Sequence, residues 1–195
     1  MPELSHMLPR LILASQSVAR KALLQELGIE VATCPTHSDE TFDMSDPADV
    51  VAMLARRKLQ AYRKEHPSYT LPVLCCDTLI WFEGKLIGKP VDQMDAKNQL
   101  QSFSGKAQQV YSGWALWYEN QEFCDADRAL VWFKDLDEPA IEAYLETREW
   151  EGAAGSYRIQ GLGKHLVDRI DGDKGTVIGL PVEQLKRILE EKTSP

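Results

Sequence analysis

The sequence predicts an α/β fold in which a mixed central sheet carries flanking helices. Three observations predict it. Short apolar runs such as Leu11–Ala14 and Pro72–Cys76 have the length of buried strands. Longer stretches with apolar residues at helical spacing lie between such runs, as at Val50, Val51, Leu54, Leu59 and Tyr62. A tight turn signal at Glu83-Gly84 separates Leu79–Phe82 from Lys85–Ile87, so at least one strand pair is a hairpin and the sheet is not purely parallel. The 195 residues, 44% hydrophobic and 27% charged, are globular in composition. No Pro/Gly/Ser-rich linker, low-complexity tract or internal repeat divides them. Residues 1–195 therefore read as a single domain, with residues 1–9 as a frayed N-terminal extension.

In chain order, Leu11–Ala14 is a first strand and Lys21–Leu27 a helix closed by Gly28, a residue suited to the left-handed cap. Residues 29–34 form a second strand and 35–46 a polar loop carrying Asp39-Glu40. A longer helix begins at Asp46-Pro47, with Asp as cap and Pro in the first turn, holds Lys58 near its middle, and stops at His66-Pro67. The strand Pro72–Cys76 ends in Asp77-Thr78, and the hairpin is followed by the loop Gly88-Lys89-Pro90. Asp92 and Asp95 start another helix, which ends near Phe103-Ser104-Gly105. Val110–Tyr118 and Ala129–Phe133 are aromatic-rich strands, with a turn at Glu119-Asn120. Glu138-Pro139 opens a helix through Leu145. The glycine-rich stretch 152–163 precedes a strand over 165–170, and Pro181 opens a last amphipathic helix.

Composition excludes several functions. A net charge of −8 argues against a nucleic-acid duplex as partner, which needs a basic face to replace condensed counterions. It leaves open a small nucleotide held by a few local cations. The four cysteines, 34, 75, 76 and 124, contain no CxxC pair, so a zinc ribbon or a thioredoxin-type motif is not expected. No apolar run is long enough to span a bilayer and no secretion signal is evident, so no membrane partner is expected and the cytoplasm is the default location. Trp114, Trp117 and Trp132 are candidates for a homodimer face, with core packing the commoner use.

Five groups of residues bear chemistry. Ser15-x-Ser17-x-x-Arg20 lies between a strand and a helix, where exposed amides, two hydroxyls and a guanidinium suit phosphate; a plain helix cap with a solvated Arg is the competing use. Asp39-Glu40 offers oxygen ligands for Mg²⁺ or Mn²⁺, though most acidic loop pairs simply face water. Asp77-Thr78 follows a buried run, where a carboxylate could orient or deprotonate water and share a metal, or merely cap a turn. Lys58 and Lys89 could offset triphosphate charge, although helix lysines mostly snorkel to the surface. Gln160, among glycines, has the donor and acceptor needed to read a base edge. The stretch does not fit the P-loop pattern.

In order along the chain, these groups resemble the Maf family of nucleotide pyrophosphatases. The matching stretches are LILASQSVARKALLQELGI, SDETF, the Lys58 helix, CCDTLIWFEGKLIGKP, FSGKAQQV, and GAAGSYRIQGLG through VIGLP, from about Leu11 to Pro181. The resemblance implies an elongated two-lobed α/β fold with a central cleft, related to that of inosine triphosphatase. It implies cleavage of a nucleoside triphosphate to monophosphate and pyrophosphate with a divalent metal cation. Ser15, Arg20, Lys58 and Lys89 fall where the family contacts substrate phosphates, with the Ser17 hydroxyl beside them. Glu40 matches the acidic position linked with metal and substrate. Asp77 matches the proton acceptor and is a second candidate metal ligand. Thr78 and Gln160 match positions that tune base choice, and Asp-Thr with Ile-Gln-Gly resembles the dTTP/UTP branch more than the 7-methyl-GTP branch.

The chain departs from the family pattern at several places, among them Ser17-Val18-Ala19-Arg20 where the family usually reads Ser-Pro-Arg-Arg. Ala19 stands where that branch usually has Arg, Ala153 replaces a customary Lys, Gln108 a His, and Arg158 a Gly. These changes bear on base preference more than on the chemistry. They motivate two alternatives: a nucleotide-binding regulator of the same fold that does not hydrolyse, or a pyrophosphatase for another modified nucleotide such as 7-methyl-GTP.

Overall fold

The computed structural model describes residues 3–43 and 46–193; residues 1–2 of the expected N-terminal extension and 44–45 of the expected polar loop lie outside the described residues. The elements run α1 (Leu4–Met7), β1 (Arg10–Leu13), α2 (Val18–Glu26), β2 (Glu30–Thr33), α3 (Pro47–Glu65), β3 (Val73–Phe82), β4 (Lys85–Ile87), α4 (Gln93–Phe103), β5 (Ala107–Tyr118), β6 (Gln121–Phe133), α5 (Glu138–Glu146), β7 (Val167–Asp171), α6 (Lys174–Ile178) and α7 (Val182–Thr193). Strand order is β2-β1-β3-β5-β6-β7, with β4 paired to β3. Strand β1 is parallel to both β2 and β3, whereas β3–β4 and β6–β7 are antiparallel. The sheet is mixed and carries helices, as expected. None of the described helices is long and apolar enough to cross a membrane.

The chain divides into two compact units. The first comprises Met1–Thr78, Ser112–Asp127 and Gly179–Pro195, and the second Leu79–Tyr111 and Arg128–Ile178. In the first unit Val73–Cys76 of β3 are buried on both faces, which is why this stretch runs apolar without alternation. Leu11 and Leu13 of β1 and Leu74 and Cys76 of β3 pack with Leu24, Trp114 and Leu185. The intervening Val73 and Cys75 pack with Leu59 and Tyr62 of α3. This alternation is the strand period of two applied to two apolar faces. Each fully buried Leu contributes roughly 1.5–3 kcal/mol.

Helix α3 starts where its sequence directs, with the Asp46 carboxylate accepting from the Ala48 amide at 2.9 Å and Pro47 at the first position. Against it lies Gly113 of β5, where a Cβ would come within 2.3 Å of the Val51 carbonyl carbon and oxygen. Only glycine permits that approach.

The second unit is built round an aromatic row. Phe82, Phe103, Phe133 and Tyr157 follow one another with ring centroids 5.0, 5.1 and 5.1 Å apart. Helix α4 is capped reciprocally: Asp92 accepts from the Asp95 amide at 2.8 Å, and Asp95 accepts from the Val91 amide at 3.0 Å. The turns at Glu83-Gly84 and Glu119-Asn120 both use successive positive φ values, the signature of tight hairpin turns.

Several expectations are corrected. Residues 4–8 do not fray: α1 forms, and Leu4 and Leu8 are buried in the same cluster as Leu24 and Leu189. Asp77-Thr78 does not follow the end of a strand but lies inside the continuous β3. Strand β3 pairs with β1 at Val73 and Leu74 and with β4 from Ile80, so Asp77-Thr78 falls where it changes partners. Strand β6 begins at Gln121 rather than Ala129, and β7 begins at Val167 because residues 162–166 form a 3-10 turn. Trp114 is fully buried and unsuited to a dimer face. Trp117 is covered by the Arg63 guanidinium, and Trp132 donates to Asp171.

Candidate active site

The turn from β1 into α2 is organised by its own hydroxyls. The Ser17 amide donates to Ser15 Oγ, and Ser17 Oγ accepts from the Arg20 amide as the helix cap, each at 3.2 Å. The first turn of α2 carries no acidic residue to offset the positive end of the helix. Arg20 turns inward rather than to solvent. Its Nε donates to the Gly179 carbonyl at 2.9 Å, Nη1 to Ser15 Oγ at 3.2 Å and the Cys76 carbonyl at 3.1 Å, and Nη2 to Thr78 Oγ1 at 2.9 Å. The planar guanidinium fork thereby ties together the helix-start turn, β3 and the approach to α7. Gly179, at φ +114°, is required beside it, since a Cβ there would lie 2.8 Å from Arg20 Nε.

A second network adjoins the first. Lys58 Nζ lies 2.7 Å from Asp77 Oδ2 and 2.9 Å from Glu40 Oε1. The other Asp77 oxygen accepts from the Thr78 amide at 2.8 Å. Burial works against the Lys58 ammonium, but Asp77 and then Glu40 outweigh it and hold its pKa above the ordinary lysine value. Lys58 is therefore a fixed positive charge at neutral pH. Of the pair Asp39-Glu40, the family resemblance points to Glu40. Asp39 accepts from the amide and hydroxyl of Thr41 in its own loop, whereas Glu40 reaches Lys58.

Glu40, Lys58, Asp77, Thr78, Arg20, Ser15 and Ser17 thus form one continuous chain of contacts within the first unit. Ala19 is half-buried in the first turn of α2. The neighbouring thiols do not take part as nucleophiles. Burial pushes Cys76 up to about 11, and Cys75 higher still, so both stay protonated near neutral pH.

The donor set bears on a metal. Among the described residues no group of three His, Cys, Asp or Glu side chains converges. Glu40 and Asp77 share the single Lys58 ammonium, so the two carboxylates are close enough to share a cation as well. A pair of carboxylates suits Mg²⁺ or Mn²⁺, which keep waters and complete their shell with substrate phosphates.

Lys89 and Gln160 belong to the second unit and both are exposed. The loop holding Lys89 is tied to the glycine-rich stretch, because the Gly155 amide donates to the Gly88 carbonyl at 3.1 Å. Gly155, at φ +69°, leaves no room for a Cβ, which would meet Ile80 Cδ1 at 2.8 Å. Three of the departures also lie in this unit and have structural partners. Arg158 donates to the Glu149 and Glu151 carbonyls at 3.0 and 2.7 Å. Gln108 is fully buried and donates to the Tyr157 hydroxyl at 2.6 Å, and Ala153 is buried.

Sequence reasoning missed two participants, Gly179 and Ser112. Gly179 lies in the VIGLP block but carries no side chain to attract notice. Ser112 is fully buried with its Oγ 2.8 Å from Thr78 Oγ1, a contact set by the placement of β5 beside β3.

Known proteins match the chain over nearly its whole length. A family model described as Maf-like protein matches residues 10–192. A dTTP/UTP pyrophosphatase of Halalkalibacterium halodurans is 39% identical over 181 residues, covering 92% of this chain and 94% of its own. Proteins of the same name from Bacillus thuringiensis subsp. konkukian and Bacillus cytotoxicus are 37% and 38% identical over 183 residues, covering 93% of this chain and 95% of theirs. A solved structure of a nucleoside-triphosphatase / dITP/XTP pyrophosphatase from Mycobacterium abscessus aligns over 95% of this chain and 98% of its own at 13% identity, with a TM-score of 0.42, too loose a likeness to carry a conclusion.

Proposed function

The chain belongs to the Maf family, and from that premise we propose that it is a nucleoside triphosphate pyrophosphatase acting on dTTP and UTP, or on modified pyrimidine triphosphates. The observation that carries this reading is the unbroken chain of contacts from Arg20 through Thr78 and Asp77 to Lys58 and Glu40. It joins a proton acceptor, a fixed ammonium and an anion-binding helix start, the three parts that phosphoanhydride hydrolysis needs.

In this mechanism Ser15, Ser17 and the amides at the start of α2 bind phosphate oxygens. Arg20 has one N–H left of its five, which it can offer to the triphosphate. Asp77 orients a water and takes its proton on Oδ2, the oxygen that Lys58 holds in place. The water oxygen bonds to the α phosphorus as the α–β bridging bond breaks, and pyrophosphate leaves. Lys58 balances the charge that gathers on the leaving group. Glu40 and Asp77 would hold the divalent cation, which when bound supplies charge neutralisation at the phosphates. Thr78 and Ala19 contact the base. Ala19 brings no guanidinium there, so hydrogen bonding by Thr78 carries the base preference in this unit. The free thiols of Cys34, Cys75, Cys76 and Cys124 support a reducing compartment, the cytoplasm.

A substrate panel with phosphate and pyrophosphate measured separately tests the proposal. Pyrophosphate released chiefly from UTP and dTTP is the expected result. Orthophosphate as the first product, or tight triphosphate binding with no turnover in the presence of metal, would remove it.

A further inference from the structure

We propose that Ser112 sets the base selectivity of the triphosphate site by fixing the direction in which the Thr78 hydroxyl points its proton. This rests on the pyrimidine triphosphate reading above and on Thr78 facing the base. Ser112 has no part in the family resemblance.

Its position is unusually constrained. Ser112 is 0% exposed, and the next residue is Gly113, pressed so closely on α3 that a Cβ would lie 2.3 Å from Val51 backbone atoms. Strand β5 cannot shift here, so Ser112 Oγ is held 2.8 Å from Thr78 Oγ1. On its other side Thr78 Oγ1 accepts from Arg20 Nη2 at 2.9 Å. Arg20 is itself locked by Gly179, Ser15 and Cys76.

A hydroxyl has one proton to donate and two lone pairs. One lone pair of Thr78 is engaged by a guanidinium. Accepting from a cation polarises the O–H bond and makes that hydroxyl the better donor of the pair. Thr78 therefore donates to Ser112, and what remains toward a ligand is a single lone pair. Such a group bonds to an N–H and repels another lone pair. On a pyrimidine ring, N3 carries a proton in uracil and thymine and a bare lone pair in cytosine. Ser112 thus makes Thr78 favour the first two and reject the third. Without the Ser112 oxygen, the Thr78 proton is free to turn outward and donate to cytosine N3.

The test is to measure kcat and KM for UTP and CTP with the wild-type protein, Ser112→Ala and Ser112→Thr, following pyrophosphate and recording a thermal melt for each. The wild type should prefer UTP. Ser112→Ala should lower the UTP-to-CTP ratio of kcat/KM about tenfold, mainly through KM, the scale of one hydrogen bond gained or lost. Ser112→Thr, which restores the oxygen, should recover the ratio if its melt shows it folded. Ser112→Ala that shifts only the melting temperature and leaves the ratio unchanged overturns the proposal, and that arm decides even if the Thr variant does not fold. Failure of the activity itself would be seen separately, as a wild type that releases no pyrophosphate from UTP, and would overturn both readings.

Discussion

The Lys58 ammonium and the Asp77 carboxylate meet at 2.7 Å, with both side chains only 15% exposed. They come from distant parts of the chain, the middle of α3 and the point in β3 where the strand changes partners. The pair keeps Asp77 aimed while Lys58 stays charged, so in the proposed mechanism the proton acceptor and the phosphate counter-charge come from one contact. Replacing Asp77 by Asn preserves shape and the contact to Lys58 but removes the proton acceptor. Pyrophosphate release should fall about 10²–10⁴-fold, the range for losing a general base. Circular dichroism should show an unchanged fold, and turnover near the wild-type rate would take Asp77 out of this role.

Arg20 acts through geometry as much as charge. Arg20→Lys keeps the charge but loses the fork that reaches Gly179, Ser15, Cys76 and Thr78 together. Stability should drop by about 1–3 kcal/mol, because buried carbonyls lose donors, and KM for the triphosphate should rise. Gly179→Ala should act in the same direction, since its Cβ would strike Arg20 Nε and its φ of +114° is strained for alanine. Chemical denaturation and steady-state kinetics on both variants check this.

Burial of Cys76 gives a pH signature. Its thiol pKa is raised by burial from an ordinary 9.0 to about 11, so the folded state holds that proton more tightly than the unfolded chain. The contribution is fully present below pH 9 and is lost as pH rises from there towards 11. Over that window the wild type should lose stability relative to Cys76→Ala, by on the order of 2 kcal/mol. Parallel stability profiles for the two proteins would contradict it.

Metal removal should separate activity from stability. Among the described residues Glu40 and Asp77 are the carboxylates proposed to hold the cation, and Lys58 contacts both. A chelator should therefore abolish hydrolysis while leaving the melting temperature of the nucleotide-free protein unchanged, and added Mg²⁺ or Mn²⁺ should restore turnover. A fall in melting temperature on chelation would point to a structural metal instead.

Much of this was legible in the sequence because it is local. The Asp46-Pro47 and Asp92 caps, the Glu83-Gly84 turn and the apolar runs of β1 and β3 follow from neighbouring residues, and the ordered blocks brought Arg20, Glu40, Lys58 and Asp77 to notice. The residues alone place Asp77-Thr78 after the end of a strand, because the change of pairing along β3 from β1 to β4 leaves no mark in them. Leu4 and Leu8 looked like part of a loose end because their burial depends on Leu189 at the far end of the chain. Ser112 and Gly179 were invisible for the same reason: each matters through one contact with a residue far away in sequence.

The most direct measurement is hydrolysis of UTP in oxygen-18 water, with the products separated and weighed. Attack on the α phosphorus by a water that Asp77 holds places the heavy oxygen in UMP and leaves the pyrophosphate unlabelled, and Asp77→Asn should all but abolish the labelled UMP. Label appearing in pyrophosphate, or in orthophosphate, would mean that the site aims its water at a different phosphorus and would contradict the assignment.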